Sequence, residues 1–181
     1  MKVVVLGRDG VINQQGSDSV VTADDFVAVR GSMDAIAKLN QAGYRVVVAT
    51  NQQELSRGEL TVEQMHDVHQ KLLQLVAESG GRVDGIFFAP SGNPDGHGKR
   101  QPKVALLQQV SERYRVPEAE LTVIGDSRED LEAAASVGAR SLLVRTGDSD
   151  QALHALKRFD GVATYADLAG AVHSIVTAEA G

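Results

Sequence analysis

Val3-Val4-Val5-Leu6-Gly7-Arg8-Asp9-Gly10-Val11-Ile12-Asn13 is the stretch whose reading decides the fold. Val3 to Leu6 are apolar without alternation, the mark of a strand covered on both faces. The run passes directly into a glycine-bounded turn carrying one carboxylate, Asp9. A short buried strand followed by a polar turn is the unit from which open parallel sheets are assembled, with the turn at the strand's carboxyl end.

Working outward, strand-like and helix-like segments alternate. Ser32 to Asn40 carries Met33, Ile36, Ala37 and Leu39 at helical spacing, and Gly43 stops it. Tyr44 to Ala49 is a second apolar, β-branched run. Thr61 to Ala77 predicts the longest helix, with Met65, Val68, Leu72, Leu75 and Val76 on one stripe and Gly80-Gly81 after it. Ile86 to Ala89 reads as a strand, Lys103 to Tyr114 as a helix broken before Pro117, and Leu121 to Ile124 as a strand. An Ala-rich helix over Glu129 to Val137 and a strand over Ser141 to Val144 follow. A short helix near Asp150 to Leu156, an edge strand at Gly161 to Thr164 and a helix from Ala166 to Val176 complete the series. The alternation predicts an α/β fold in one domain over 1–181, a mostly parallel sheet with helices on both faces and no large cap domain. The long irregular stretch is Pro90 to Pro102, a length usually tied to function or mobility.

Composition narrows the function classes. The 181 residues are 43% hydrophobic and 23% charged, as in ordinary globular proteins, with a net charge of −6. No clustered basic run is present to meet a nucleic-acid backbone. No apolar stretch approaches the ~20 residues that span a bilayer, and Val3 to Leu6 is too short for a signal peptide. With no cysteine, disulfides and thiolate metal sites are excluded. The expectation is a cytoplasmic monomer with no nucleic-acid or membrane partner.

Four polar segments fall where strands end or helices begin. They are Gly7-Arg8-Asp9-Gly10, Thr50-Asn51-Gln52, Lys99-Arg100-Gln101-Pro102-Lys103, and Gly125-Asp126-Ser127-Arg128-Glu129-Asp130. Each is weak alone; together, in this order, they are specific. With Ser56-Arg57-Gly58 they resemble the haloacid dehalogenase (HAD) superfamily, and more closely its heptose bisphosphate and histidinol phosphate phosphatases. The resemblance runs from Lys2 to about Thr146. It implies a Rossmann-like HAD fold, a phosphorylated sugar or phosphate as ligand, and Mg²⁺ as cofactor. In such phosphatases one Asp attacks phosphorus, and a second Asp two residues on protonates the leaving oxygen and later activates water. By position Asp9 matches the acid/base, and Gly7 stands where the nucleophile belongs. Arg8, Thr50, Asn51, Gln52, Arg57, Arg100 and Lys103 match or flank the phosphate and substrate contacts. Asp9 and Asp126 match the Mg²⁺ carboxylates, hard oxygen donors that suit this ion.

Two further positions depart from the resemblance. Gln101 replaces the expected Lys of the third motif, and Lys99 and Lys103 lie out of register. The loop that often holds Zn²⁺ in the family offers only His97, so no zinc is expected. Loss of the nucleophile removes the covalent route and implies a rate loss of about 10⁴ to 10⁶. It also weakens Mg²⁺, whereas phosphate binding survives. Gly7 is open to two origins, natural decay or one substitution; the second altered position, Gln101, favours decay. Plainer readings stand beside these. Asp9 also reads as a turn cap, Asp126 as a helix N-cap, Glu129 and Asp130 as first-turn dipole partners, and Arg57 as a surface loop residue. His66 and His69 read as a solvated helix face, and His154 and His173 as surface residues. Two functions follow: a phosphosugar-binding scaffold with catalysis lost or strongly reduced, or a working Mg²⁺-dependent sugar phosphatase in which Asp9 activates water. A purely structural subunit is a third and would bind no phosphate.

Overall fold

The computed structural model describes residues 1–16, 18–90, 102–147, 159 and 161–179. Six strands form one sheet: β1 (Lys2–Leu6), β2 (Tyr44–Asn51), β3 (Gly85–Ala89), β4 (Thr122–Gly125), β5 (Arg140–Val144) and β6 (Ala163–Tyr165). Every described pairing is parallel, and the order is β3-β2-β1-β4-β5-β6. The chain winds outward from β1 to β3, returns, and winds the other way from β4 to β6. The reversal lies between β1 and β4, which is where open α/β sheets leave a crevice beyond their strand ends.

The helices are α1 (Ser32–Gln41), α2 (Gln53–Arg57), α3 (Val62–Glu78), α4 (Pro102–Tyr114), α5 (Arg128–Ser136) and α6 (Leu168–Glu179). Alternating strand side chains divide the core. Val4 and Leu6 of β1 pack with Ile36 and Leu39 of α1, Val68 and Leu72 of α3, and Val172 of α6. Val3 and Val5 pack on the opposite face with Leu107 and Val110 of α4 and Ala133 and Ala134 of α5. Both faces of β1 are thus dry, which is why its sequence shows no alternation. Each fully buried aliphatic side chain contributes about 2 kcal/mol, so the sheet is a stiff base for the turns at its carboxyl edge.

Element boundaries follow the sequence reading with small shifts, and three features differ. A five-residue helix, α2, occupies 53–57, so Arg57 sits on a helical turn rather than in a loop, with Gly58 closing it at φ +71°. The N-cap of α5 is Ser127, not Asp126. His69 is buried, not solvated, whereas His66 and His173 are exposed. The predicted helix near Asp150, together with His97, Arg100, Gln101 and His154, lies outside the described residues. No described helix is long and apolar enough to cross a membrane.

Candidate active site

The turn after β1 is tightly wound. The Arg8 carbonyl accepts from the N–H groups of Val11, Ile12 and Asn13, and the Gly10 N–H donates to the Asn13 carbonyl. Gly10 takes φ +76°, which a glycine adopts without a Cβ penalty. This winding turns Arg8 inward, where it is only 2% exposed. Its guanidinium forks onto Asp9: Nε and Nη2 donate to Oδ1 at 3.1 and 3.0 Å, and Nη2 also reaches Oδ2 at 3.2 Å. The amide of the fully buried Asn13 adds a bond to Asp9 Oδ1 at 2.9 Å. The described bonds of the Asp9 carboxylate therefore go to side chains, not to the turn N–H groups of the capping reading. Arg8 Nη1 meets His69 Nε2 at 3.1 Å. Burial first, and then the Arg8 charge, pull the His69 imidazole from 6.5 down to about 4, so it is neutral at physiological pH.

The turn after β4 uses backbone groups instead. Asp130 Oδ2 accepts from the N–H groups of Asp126 and Ser127, each at 3.2 Å, and from the Ser127 hydroxyl at 2.8 Å. The Ser127 hydroxyl oxygen in turn accepts from the Asp130 N–H, completing a capping box at the start of α5. Lys103, from the first turn of α4, donates to Asp130 Oδ1 at 2.6 Å and to Ser127 Oγ at 3.2 Å. Burial pulls the Lys103 ammonium down, but the Asp130 carboxylate, helped by Asp126 and Glu129, outweighs it, and the net direction is upward. Lys103 is therefore a fixed positive charge, and it reaches the cavity although it is out of register with the third motif.

Between these turns lies a cavity of about 440 Å³, whose wall includes Gly7, Asp9, Thr50, Asn51, Asp126 and Lys103. Arg57 and Arg128 stand at its rim with Glu54 and Glu129. Gln52 is buried off this wall; its amide braces the cradle by donating to Thr50 Oγ1 and to the Asn51 carbonyl, both at 2.9 Å. Asn51 Oδ1 is buried with no described partner. Asp126 is enclosed by glycines: a Cβ at Gly10 or Gly147 would collide with its Oδ2. The Thr146 hydroxyl, just beyond β5, holds the β1 turn by donating to the Gly10 carbonyl at 2.6 Å. The sequence reading assigned no part to Asn13, Glu54, Arg128 or His69. His69 had a signal, because it shares the buried stripe of Met65, Leu72 and Val76 at helical spacing.

The fit to Mg²⁺ is decided by donor chemistry. Asp126 and Asp9 offer hard oxygen ligands, and Mg²⁺ is commonly held by one or two carboxylates while keeping several waters. Among the described residues no group of three acidic or histidine side chains is poised for a metal. The residues present fit a sparsely ligated, largely hydrated ion.

A parallel sheet whose switch-point crevice is lined by these carboxylates and cations defines a HAD-type scaffold. A family model described as "HAD-hyrolase-like" matches residues 98–171. The D-glycero-beta-D-manno-heptose-1,7-bisphosphate 7-phosphatase of Neisseria meningitidis is 41% identical over 153 residues, covering 84% of this chain and 82% of that one. The Bordetella bronchiseptica protein of the same name is 38% identical over 97% of this chain and 98% of its own. The crystal structure of D,D-heptose 1,7-bisphosphate phosphatase from B. bronchiseptica, complexed with magnesium and phosphate, superposes with a TM-score of 0.89 at 36% identity, covering 98% of this chain and 99% of that one. The chain belongs to the heptose bisphosphate phosphatase family of HAD-like hydrolases.

Proposed function

We propose that the cavity binds the phosphate of a phosphorylated sugar of the heptose bisphosphate type, and that its hydrolysis is strongly reduced. The observation that carries this reading is the cavity wall at position 7, where β1 delivers a glycine and no carboxylate projects toward a bound phosphate. The cationic lining supports binding. Lys103, Arg57 and Arg128 line one space. Lys103 supplies the fixed charge that Gln101 does not.

Asp126 and Asp9 would hold Mg²⁺, which when bound neutralises phosphate oxygens beside these carboxylates. Thr50, braced by Gln52, presents its hydroxyl to a phosphate oxygen. Asp9 Oδ2, with one described donor against three on Oδ1, is the atom with room for a proton. That favours one alternative over a structural subunit: slow direct attack, in which Asp9 takes a water proton, the water oxygen bonds to phosphorus as the bond from phosphorus to the sugar oxygen breaks, and the sugar oxygen takes a proton from solvent, to which Asp9 returns its own.

The test is phosphate release from D-glycero-β-D-manno-heptose 1,7-bisphosphate with Mg²⁺ by the unaltered chain and by Gly7→Asp. A Cβ at position 7 lies 3.1 Å from Val11 Cγ2, so the new side chain needs a shift of a few tenths of an ångström. Turnover should rise by about 10⁴ or more in the variant. Turnover by the unaltered chain at the level of its relatives would overturn the reading. Inorganic phosphate binding, followed by calorimetry, separates both enzymatic readings from a structural subunit.

A further inference from the structure

We propose that His69 is a positioning residue: a neutral acceptor on α3 that fixes the Arg8 guanidinium and through it the direction in which Asp9 presents its carboxylate to the cavity. This deepens the proposed function and rests on it only for the effect on phosphate.

The argument begins with donor arithmetic. A guanidinium carries five N–H donors and no acceptor, and it stays protonated. In the contact between Arg8 Nη1 and His69 Nε2 the imidazole must therefore accept. That places its own proton on Nδ1. The other described bonds of the Arg8 guanidinium all go to Asp9. Asp9 and His69 thus grip the planar fork at different nitrogens, and a plane held at both ends cannot swivel. Remove the His69 acceptor and Nη1 is left with no described partner at a site that is 2% exposed. A buried charged donor without an acceptor is costly, so the fork would rotate toward water and carry Asp9 with it.

The chemistry of residue 69 also matters for what it avoids. A carboxylate there would compete for Arg8 and draw the fork off Asp9. An apolar residue would leave Nη1 bare. A neutral imidazole holds Arg8 while leaving its charge paired with Asp9 alone. His69 is 6% exposed and lies between Met65 and Leu72 on the buried stripe of α3. The hold therefore comes from a different element, 61 residues from Arg8 in sequence.

The experiment has two arms. Long-range ¹H–¹⁵N correlation spectra of the unaltered chain at pH 7 should show His69 as the neutral tautomer with its proton on Nδ1. Protonation on Nε2, or an imidazolium, overturns the proposal without reference to phosphate. The second arm compares His69→Gln, whose amide oxygen can still accept, with His69→Leu. The Arg8 guanidinium resonances and the Asp9 carboxylate ¹³C shift should be kept in His69→Gln and altered in His69→Leu. Inorganic phosphate affinity with Mg²⁺ should fall about tenfold in His69→Leu and stay within twofold in His69→Gln. Equal spectra for the two variants overturn the proposal. If the unaltered chain binds no phosphate, the proposed function fails, and the tautomer and Arg8 spectra still decide the role of His69. Should His69→Leu not fold, the tautomer and His69→Gln spectra carry the decision.

Discussion

After β4, the Asp130 carboxylate is held by two backbone N–H groups, a hydroxyl and Lys103; after β1, the described bonds of the Asp9 carboxylate come from side chains alone. Both turns cap neighbouring parallel strands and face one cavity. They differ in what fixes them. The Asp130 carboxylate is fixed by its own local chain and by Lys103 of α4, whereas the Asp9 carboxylate depends on a guanidinium that also meets a distant helix. A carboxylate gripped by backbone serves as framework. One gripped by side chains is aimed by residues outside its own turn.

Four measurements break or sharpen this contrast. The largest expected effect is Lys103→Met, which leaves Asp130, nearly buried, without its cation. Stability should fall by about 3 kcal/mol, read as a lower urea midpoint with an unchanged slope. A loss under 1 kcal/mol would mean that the backbone bonds suffice.

Next comes the pH dependence of the β1 side. His69 is pulled from 6.5 to about 4, so between those values the unfolded chain binds a proton that the folded chain refuses. Stability should therefore decline as pH falls from 6.5 to 4, by up to about 3 kcal/mol, with no contribution from His69 above that window. His69→Gln should flatten that part of the profile, and an unchanged slope would place the titration elsewhere. Ser127→Ala removes the capping hydroxyl and should cost about 1 kcal/mol in thermal unfolding, while leaving the Arg8 and Asp9 spectra untouched. The smallest effect is Arg128→Met, which breaks an exposed i,i+4 pair with Glu132 worth about 0.3 kcal/mol but should weaken phosphate binding measurably.

The same contrast explains what was legible in sequence. The start of α5 was legible, but its cap was misplaced by one residue: Asp126 read as the N-cap, whereas Ser127-x-x-Asp130 is the local pattern that forms. The sheet was legible because unbroken apolar runs mean two covered faces. Helix α2 was missed because five residues show no periodicity. The Arg8–His69 contact was not legible because His69 reads with His66 as a solvated face, although it shares the buried stripe of Met65, Leu72 and Val76. Asn13 follows Asp9 in the opening stretch, but nothing local says that its amide meets that carboxylate.

Gly10 and Gly147 carry no functional group, yet each leaves the gap into which Asp126 fits. A charge-based scan would pass over both, whereas a saturation library should find them among the least tolerant positions around the crevice. What they contribute is empty space, and a methyl group at either would evict the carboxylate as effectively as deleting it.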